Sequence, residues 1–369
     1  MFGTYRYLLA ILVAMSHNWP VLMNWSGYYS VFGFFILSGY LMTSVLTDTY
    51  GHSVSGITRF MTNRVLRLYP PYLIAALFAV CVYIVVPDDP RLVFNRFLYL
   101  PDTTMEWLQN IFLFGLAPFE TKPILVGPAW SLTVELVYYF ALAILLARWR
   151  IIVVLWLVLS LAQTAFSFEN GIDFSHRYFT IIAGSLPFST GAFIYHFKGH
   201  LKFIQKWHVF PAFALFIGNM IFTRYLWGNP RMSYGIYVSY LLCAYMVICL
   251  SKVDKSDVSS WVSRYDKFLG NLSYPVFLFH MACKIIVIWF LGPNWRGHKL
   301  ASFVASLLLA NLIAYAVFVL VEKNVNKVRD RIRMPKGAPV PEAVLHLEEA
   351  QEGQGLPQYS EAKGGACAG

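Results

Sequence analysis

Charge is scarce in this sequence: Asp, Glu, Lys and Arg make up 13% of 369 residues, against 58% hydrophobic residues. With a mean hydropathy of +0.55, the chain has too little polar surface to coat a soluble globular fold. Cysteine is also sparse. Cys81, Cys243, Cys249 and Cys283 lie in or beside apolar runs and Cys367 lies near the end, a spacing that excludes a disulfide framework and a Cys/His metal set. The sequence has no Gly-rich phosphate loop. It also lacks the internal repeat from which many transporters are built.

Long apolar runs take their place. Stretches able to cross ~30 Å of hydrocarbon fall at about 7–23, 28–47, 71–87, 129–147, 150–167, 178–196, 208–226, 234–250, 271–291 and 299–321. Each is read as a helix, because backbone facing lipid must satisfy its own hydrogen bonds and the runs are too continuous for barrel strands. The expected fold class is all-α: a polytopic membrane protein of about ten transmembrane helices. The first run has only Arg6 before it and contains His17 and Pro20, so it is read as a retained helix and not as a cleaved signal.

Lys and Arg divide unevenly between the two sides of this ten-helix arrangement. Twenty of the 29 fall on the side of the termini, eight on the other, and Lys284 lies within a span. The positive-inside rule then puts both termini in the cytoplasm, and the net charge of +10 needs no nucleic-acid partner. Residues 1–336 are read as one membrane domain. Residues 337–369, rich in Gly, Pro, Ala, Glu and Gln, have too few large apolar side chains for a core and are expected to form a disordered cytoplasmic tail.

Ionisable groups at bilayer depth are costly, so each is a candidate for function as well as for packing. His17 follows Arg6 by eleven residues, which puts both on one helix face with a rise of ~16 Å between them. Glu135, in "GPAWSLTVELVYYF", is expected about six residues inside its span, at a depth similar to that of His17. A carboxylate there would orient the imidazole and raise its basicity, as a general base requires. "GFFILSGYL" carries Ser38 between small residues that let helices approach. "RFMTNRVLRLYPPY" carries Arg59, Arg64 and Arg67 on the loop before the third span. Arg64 and Arg67 are three apart, so they are neighbours on a helix surface and fit either a phosphate-bearing ligand or lipid head groups. "LGNLSYPVFLFHM" brings Ser273, Tyr274 and a second buried histidine, His280. Trp19, Trp25 and Trp130 suit interfacial anchoring or stacking on a sugar ring.

Arg6 with His17, "FFILSGYL", "RVLRLYPPY", "WSLTVELVYY" and "LGNLSYPVFLFH", in this order on ten helices, resemble the acyltransferase-3 family of membrane-bound O-acyltransferases over residues 5 to 325. One departure is "VEKNVNKVR", where the resemblance leads one to expect a proline soon after the Glu-Lys pair. The resemblance implies transfer of an acyl group, usually acetyl, from acyl-CoA on the cytoplasmic side to a hydroxyl of a saccharide, with no metal. Acceptors in that family include exopolysaccharides, lipopolysaccharide O-antigens, cellulose-like polymers, peptidoglycan, lipo-oligosaccharide signals and macrolides, and no residue here chooses among them; the expectation is an exopolysaccharide or its lipid-linked precursor, in a bacterial inner membrane, beside polysaccharide synthesis or export machinery.

On that reading Arg6, Arg64 and Arg67 hold the donor. His17 is either a general base or an acyl-carrying nucleophile, and Glu135 supports it. Ser38, Trp130, Tyr274 and His280 line or support the acceptor site. A transporter or flippase of a lipid-linked saccharide or small solute is the competing class. A non-catalytic scaffold of a secretion complex is a third.

Overall fold

The computed structural model describes residues 1–333 apart from 19–25, 88–93, 96, 117–122, 229–233 and 293–296. The expectations for Trp19, Trp25 and the 337–369 tail lie outside the described residues.

Among the described residues every regular element is helical and there is no strand. In chain order they are α1 (Phe2–Asn18), α2 (Ser26–Val45), α3 (Val54–Val85), α4 (Thr104–Phe112), α5 (Ala129–Ala141), α6 (Arg150–Glu169) and α7 (Phe174–Phe179). Then come α8 (Ile181–Phe197), α9 (Val209–Trp227), α10 (Gly235–Leu250), α11 (Ser260–Leu291), α12 (Lys299–Val317) and α13 (Lys323–Arg333). Single π turns extend α2 over Leu46–Tyr50 and α5 over Leu142–Leu146, and join α12 to α13 over Phe318–Glu322.

Seven of these helices, with their extensions, are long and apolar enough to cross a membrane. Three further runs read as spans form shorter helices: α1 and α8 of 17 residues each and α10 of 16. The chain is thus a multi-pass membrane protein.

Two expected loops are helical instead. The stretch carrying the three arginines belongs to α3, a 32-residue helix whose N-cap Ser53 accepts from Gly56 N and which continues through Pro70 and Pro71. The prolines leave the carbonyls of Leu66 and Arg67 without helical donors, yet apolar packing on the C-terminal side keeps the helix going. The nearby carbonyl of Leu68 accepts the Tyr274 hydroxyl at 2.9 Å. Likewise α11 starts at Ser260, well before the apolar run, with Ser259 as its N-cap.

Close crossings tie the bundle together. A Cβ added to Gly39 would sit 2.3 Å from the Phe188 carbonyl oxygen, and one on Gly191 would sit 2.1 Å from that of Ile36. So α2 and α8 touch backbone to backbone, the contact small residues permit in membranes. At the N-terminus of α1, Asp266 of α11 accepts from Gly3 N, Thr4 N and Thr4 Oγ1 and pairs with the terminal amine at 3.2 Å. It satisfies donors that the first turn leaves open and docks α1 on α11.

Candidate active site

A cavity of about 110 Å³ lies among α1, α2, α3, α5 and α11. Arg6, Arg64, Arg67, Ser38, Glu135 and Tyr274 line it, with Tyr139, Ser273, Phe34 and Phe277. Docking of α1 on α11 brings Arg6 there. One turn of α3 separates Arg64 from Arg67, so both guanidiniums lie on the face turned to the cavity.

Glu135 accepts from Ser38 Oγ at 3.0 Å and from Tyr139 Oη at 2.8 Å. Tyr139 follows Glu135 by one helical turn, a spacing that marks it as a partner, although the sequence analysis did not single it out. Arg64 donates to Asn63 Oδ1 at 3.0 Å and to Met42 Sδ at 3.4 Å. It also lies over the Phe60 ring, 5.5 Å from the centroid. Its Nε is buried without a partner. Asn63 Oδ1 also accepts from Arg329 Nε at 3.2 Å, so it joins α13 to the cavity wall.

Arg67 pairs with Glu322 across 3.5 Å. Glu322 closes the π turn that joins α12 to α13 and is 3% exposed. Three guanidiniums thus face one carboxylate, with a second held behind Arg67. That cationic excess suits a multiply charged phosphate ligand.

His17 and Glu135 are not brought together. Among the described residues no hydrogen bond or ion pair links them, and His17 is absent from the cavity wall. The expected depth match counted residues from the start of the helix. In the structure the chain is already inside before α5 begins: Ile124, Leu125 and Val126 are buried. Asn110 binds Leu125 N at 2.9 Å and the Pro123 carbonyl at 3.0 Å, and Tyr83 donates to the Leu125 carbonyl at 2.7 Å. Glu135 therefore lies at the level of Arg6, about three helical turns of α1 from His17.

His17 instead lies beside His280, with ring centroids 5.5 Å apart. Between this pair and the cationic cavity stand Phe34 and Phe277, their rings 5.6 Å apart. Trp130 does not line the cavity. It is buried against Phe179, Tyr178 and Phe35 at 4.7, 5.4 and 6.3 Å, a packing role. No group of three or more potential metal ligands occurs among the described residues.

A membrane-embedded helical bundle thus holds an internal cationic cavity and, beside Phe34 and Phe277, a histidine pair. Residues 4–321 match the acyltransferase-3 family, described as "Acyltransferase domain". The chain belongs to this family. It is similar to a protein of Bacillus subtilis (strain 168) named "Putative peptidoglycan O-acetyltransferase YrhL", with 26% identity over 324 residues. The alignment takes in 78% of this chain but half of that relative's length. No solved structure matches the chain.

Proposed function

We propose that this protein transfers an acetyl group from acetyl-CoA to a hydroxyl of a cell-envelope saccharide, with His17 as general base. The observation that carries the reading is the convergence of Arg6, Arg64 and Arg67 on one cavity. These three bind the phosphates of the donor at the cytoplasmic mouth, where planar guanidiniums engage phosphate oxygens bidentately. Glu135, fixed by Ser38 and Tyr139, sets one negative charge against the guanidiniums on the same cavity wall. The pantetheine arm reaches His17 by pushing apart Phe34 and Phe277, whose rings touch at 5.6 Å in the ligand-free structure. The aromatic pair keeps bulk water from the thioester.

At His17 the acceptor O–H bond breaks as the imidazole takes the proton. The hydroxyl oxygen bonds to the acyl carbon, the C–S bond breaks, and the proton passes to the departing thiolate. The name of the Bacillus relative points to glycan hydroxyls of peptidoglycan as acceptors, and exopolysaccharide repeat units are the other candidates. Both are built or exported at the bacterial inner membrane, where the enzyme would work beside polysaccharide synthesis or export machinery.

The test is acceptor-dependent release of CoA thiol from acetyl-CoA by protein in lipid nanodiscs, with peptidoglycan fragments and lipid-linked saccharides as acceptors. His17→Ala is expected to lower transfer by about 10²–10⁴-fold while still binding CoA. Normal transfer by that variant would remove His17 from the mechanism.

A further inference from the structure

His280 sits in the middle of α11 and is wholly buried. Its Nδ1 lies 2.8 Å from the Phe277 carbonyl oxygen. A carbonyl only accepts, so Nδ1 carries the hydrogen, and in the neutral ring Nε2 is left as a lone-pair acceptor. That Nε2 is shielded from solvent and has no hydrogen-bond partner. Buried polar atoms are nearly always paired, and exceptions call for an explanation. The His17 ring lies opposite, 5.5 Å away between centroids and inclined by 31°.

We propose that His280 is the positioning residue of the general base: its Nε2 accepts a hydrogen bond from one ring nitrogen of His17, directly or through one water, leaving the other nitrogen's lone pair for the acceptor hydroxyl. This rests on the acyl-transfer reading of His17. It gives His280 the supporting role that sequence reasoning assigned to Glu135.

Nothing else near the pair competes for that role. Among the described residues the titratable ring packed on His280 is that of His17, and its other aromatic neighbour is Phe277, 6.3 Å away. Phe277 turns its ring to Phe34 of α2, and Phe279 turns its ring to Phe78 of α3, 5.4 Å away. Lys284, the next turn of α11, donates to Ser302 of α12, and Glu135 is held by Ser38 and Tyr139.

The chemistry follows from the partner being neutral. When His17 takes the proton from the acceptor hydroxyl, its imidazolium keeps the hydrogen bond to the His280 lone pair and is stabilised by it. An imidazole does this less strongly than a carboxylate would, so His17 remains ready to return the proton to the thiolate formed when the C–S bond breaks. The dyad both orients the base and leaves it able to act as the acid of the second half of the step.

His280→Phe keeps a ring in the buried site and removes the acceptor; His280→Gln restores an acceptor oxygen. Both are compared with wild type in nanodiscs, with kcat and KM for acetyl-CoA and saccharide measured across pH. His280→Phe is expected to lower kcat about 10- to 100-fold, the weight of one hydrogen bond to the charged His17 imidazolium, with both KM values unchanged. Loss of the acceptor disfavours the His17 imidazolium, so the acidic limb of the kcat profile moves to lower pH. His280→Gln is expected to recover part of kcat and part of the limb position.

Wild-type kcat and limb in His280→Phe would overturn the inference. Equal losses in both variants with no movement of the limb would also overturn it, by making His280 a packing residue. Normal transfer by His17→Ala would instead strike the acyl-transfer reading itself, so the two failures are distinguishable. If His280→Phe does not insert, His280→Leu, which also lacks an acceptor, takes its place: wild-type kcat and limb in that variant would overturn the proposal.

Discussion

Removal of Arg67 should have two separable effects. Its guanidinium faces the cavity on one side and Glu322 on the other, 3.5 Å away. Charge-assisted hydrogen bonds to a ligand contribute about 1.5–3 kcal/mol, so Arg67→Ala is expected to weaken CoA binding by about 10- to 150-fold. The same change strands Glu322, which is 3% exposed and whose oxygens make no hydrogen bond. An orphaned buried charge costs about 3–5 kcal/mol, a stability loss visible in thermal unfolding. The double variant Arg67→Ala/Glu322→Gln removes the stranded charge. It should regain most of the lost stability while CoA binding stays weak, and Glu322→Gln alone should bind CoA at least as well as wild type. The assays are equilibrium CoA binding and thermal unfolding in detergent. Wild-type CoA affinity in Arg67→Ala would reduce Arg67 to a partner of Glu322, and no recovery in the double variant would refute the account of the pair.

Arg67→Lys should not restore donor affinity, because a point charge does not reproduce a planar fork; the same CoA binding assay reads it. Gly191→Ala forces a Cβ to within 2.1 Å of the Ile36 carbonyl oxygen, so the α2–α8 crossing must open, at a cost of about 1–3 kcal/mol. A lower unfolding midpoint checks this, and an unchanged midpoint would mean that the crossing relaxes freely. Asp266→Ala removes three hydrogen bonds and one ion pair from the N-terminus of α1. Loss of such a cap costs about 0.5–2 kcal/mol, and because Arg6 sits on the second turn, donor KM should rise along with the loss of stability.

Much of the architecture was legible in the residues because a membrane span is a local property: an uninterrupted apolar run must be helical to satisfy its backbone in hydrocarbon. Arg6, Arg64 and Arg67 were legible as cations flanking the first and third spans, with Arg64 and Arg67 at helical spacing, and in the structure all three line one cavity. Even so, the extent of α3 and α11 was underestimated. Apolar periodicity marks the part of a helix within the membrane, whereas caps at Ser53 and Ser259 decide where the helix starts.

Which residues meet was decided only by the tertiary structure. Counting from the edge of an apolar run put Glu135 level with His17, but the buried entry of 123–126 carries Glu135 down to Arg6. That entry depends on Asn110 and Tyr83, residues far from the motif. His17 gained His280 as its neighbour, and Arg67 gained Glu322, from helices more than 250 residues away in sequence. Depth and pairing follow from how helices pack against one another, a sum of distant contacts that no local pattern of apolar and polar residues encodes.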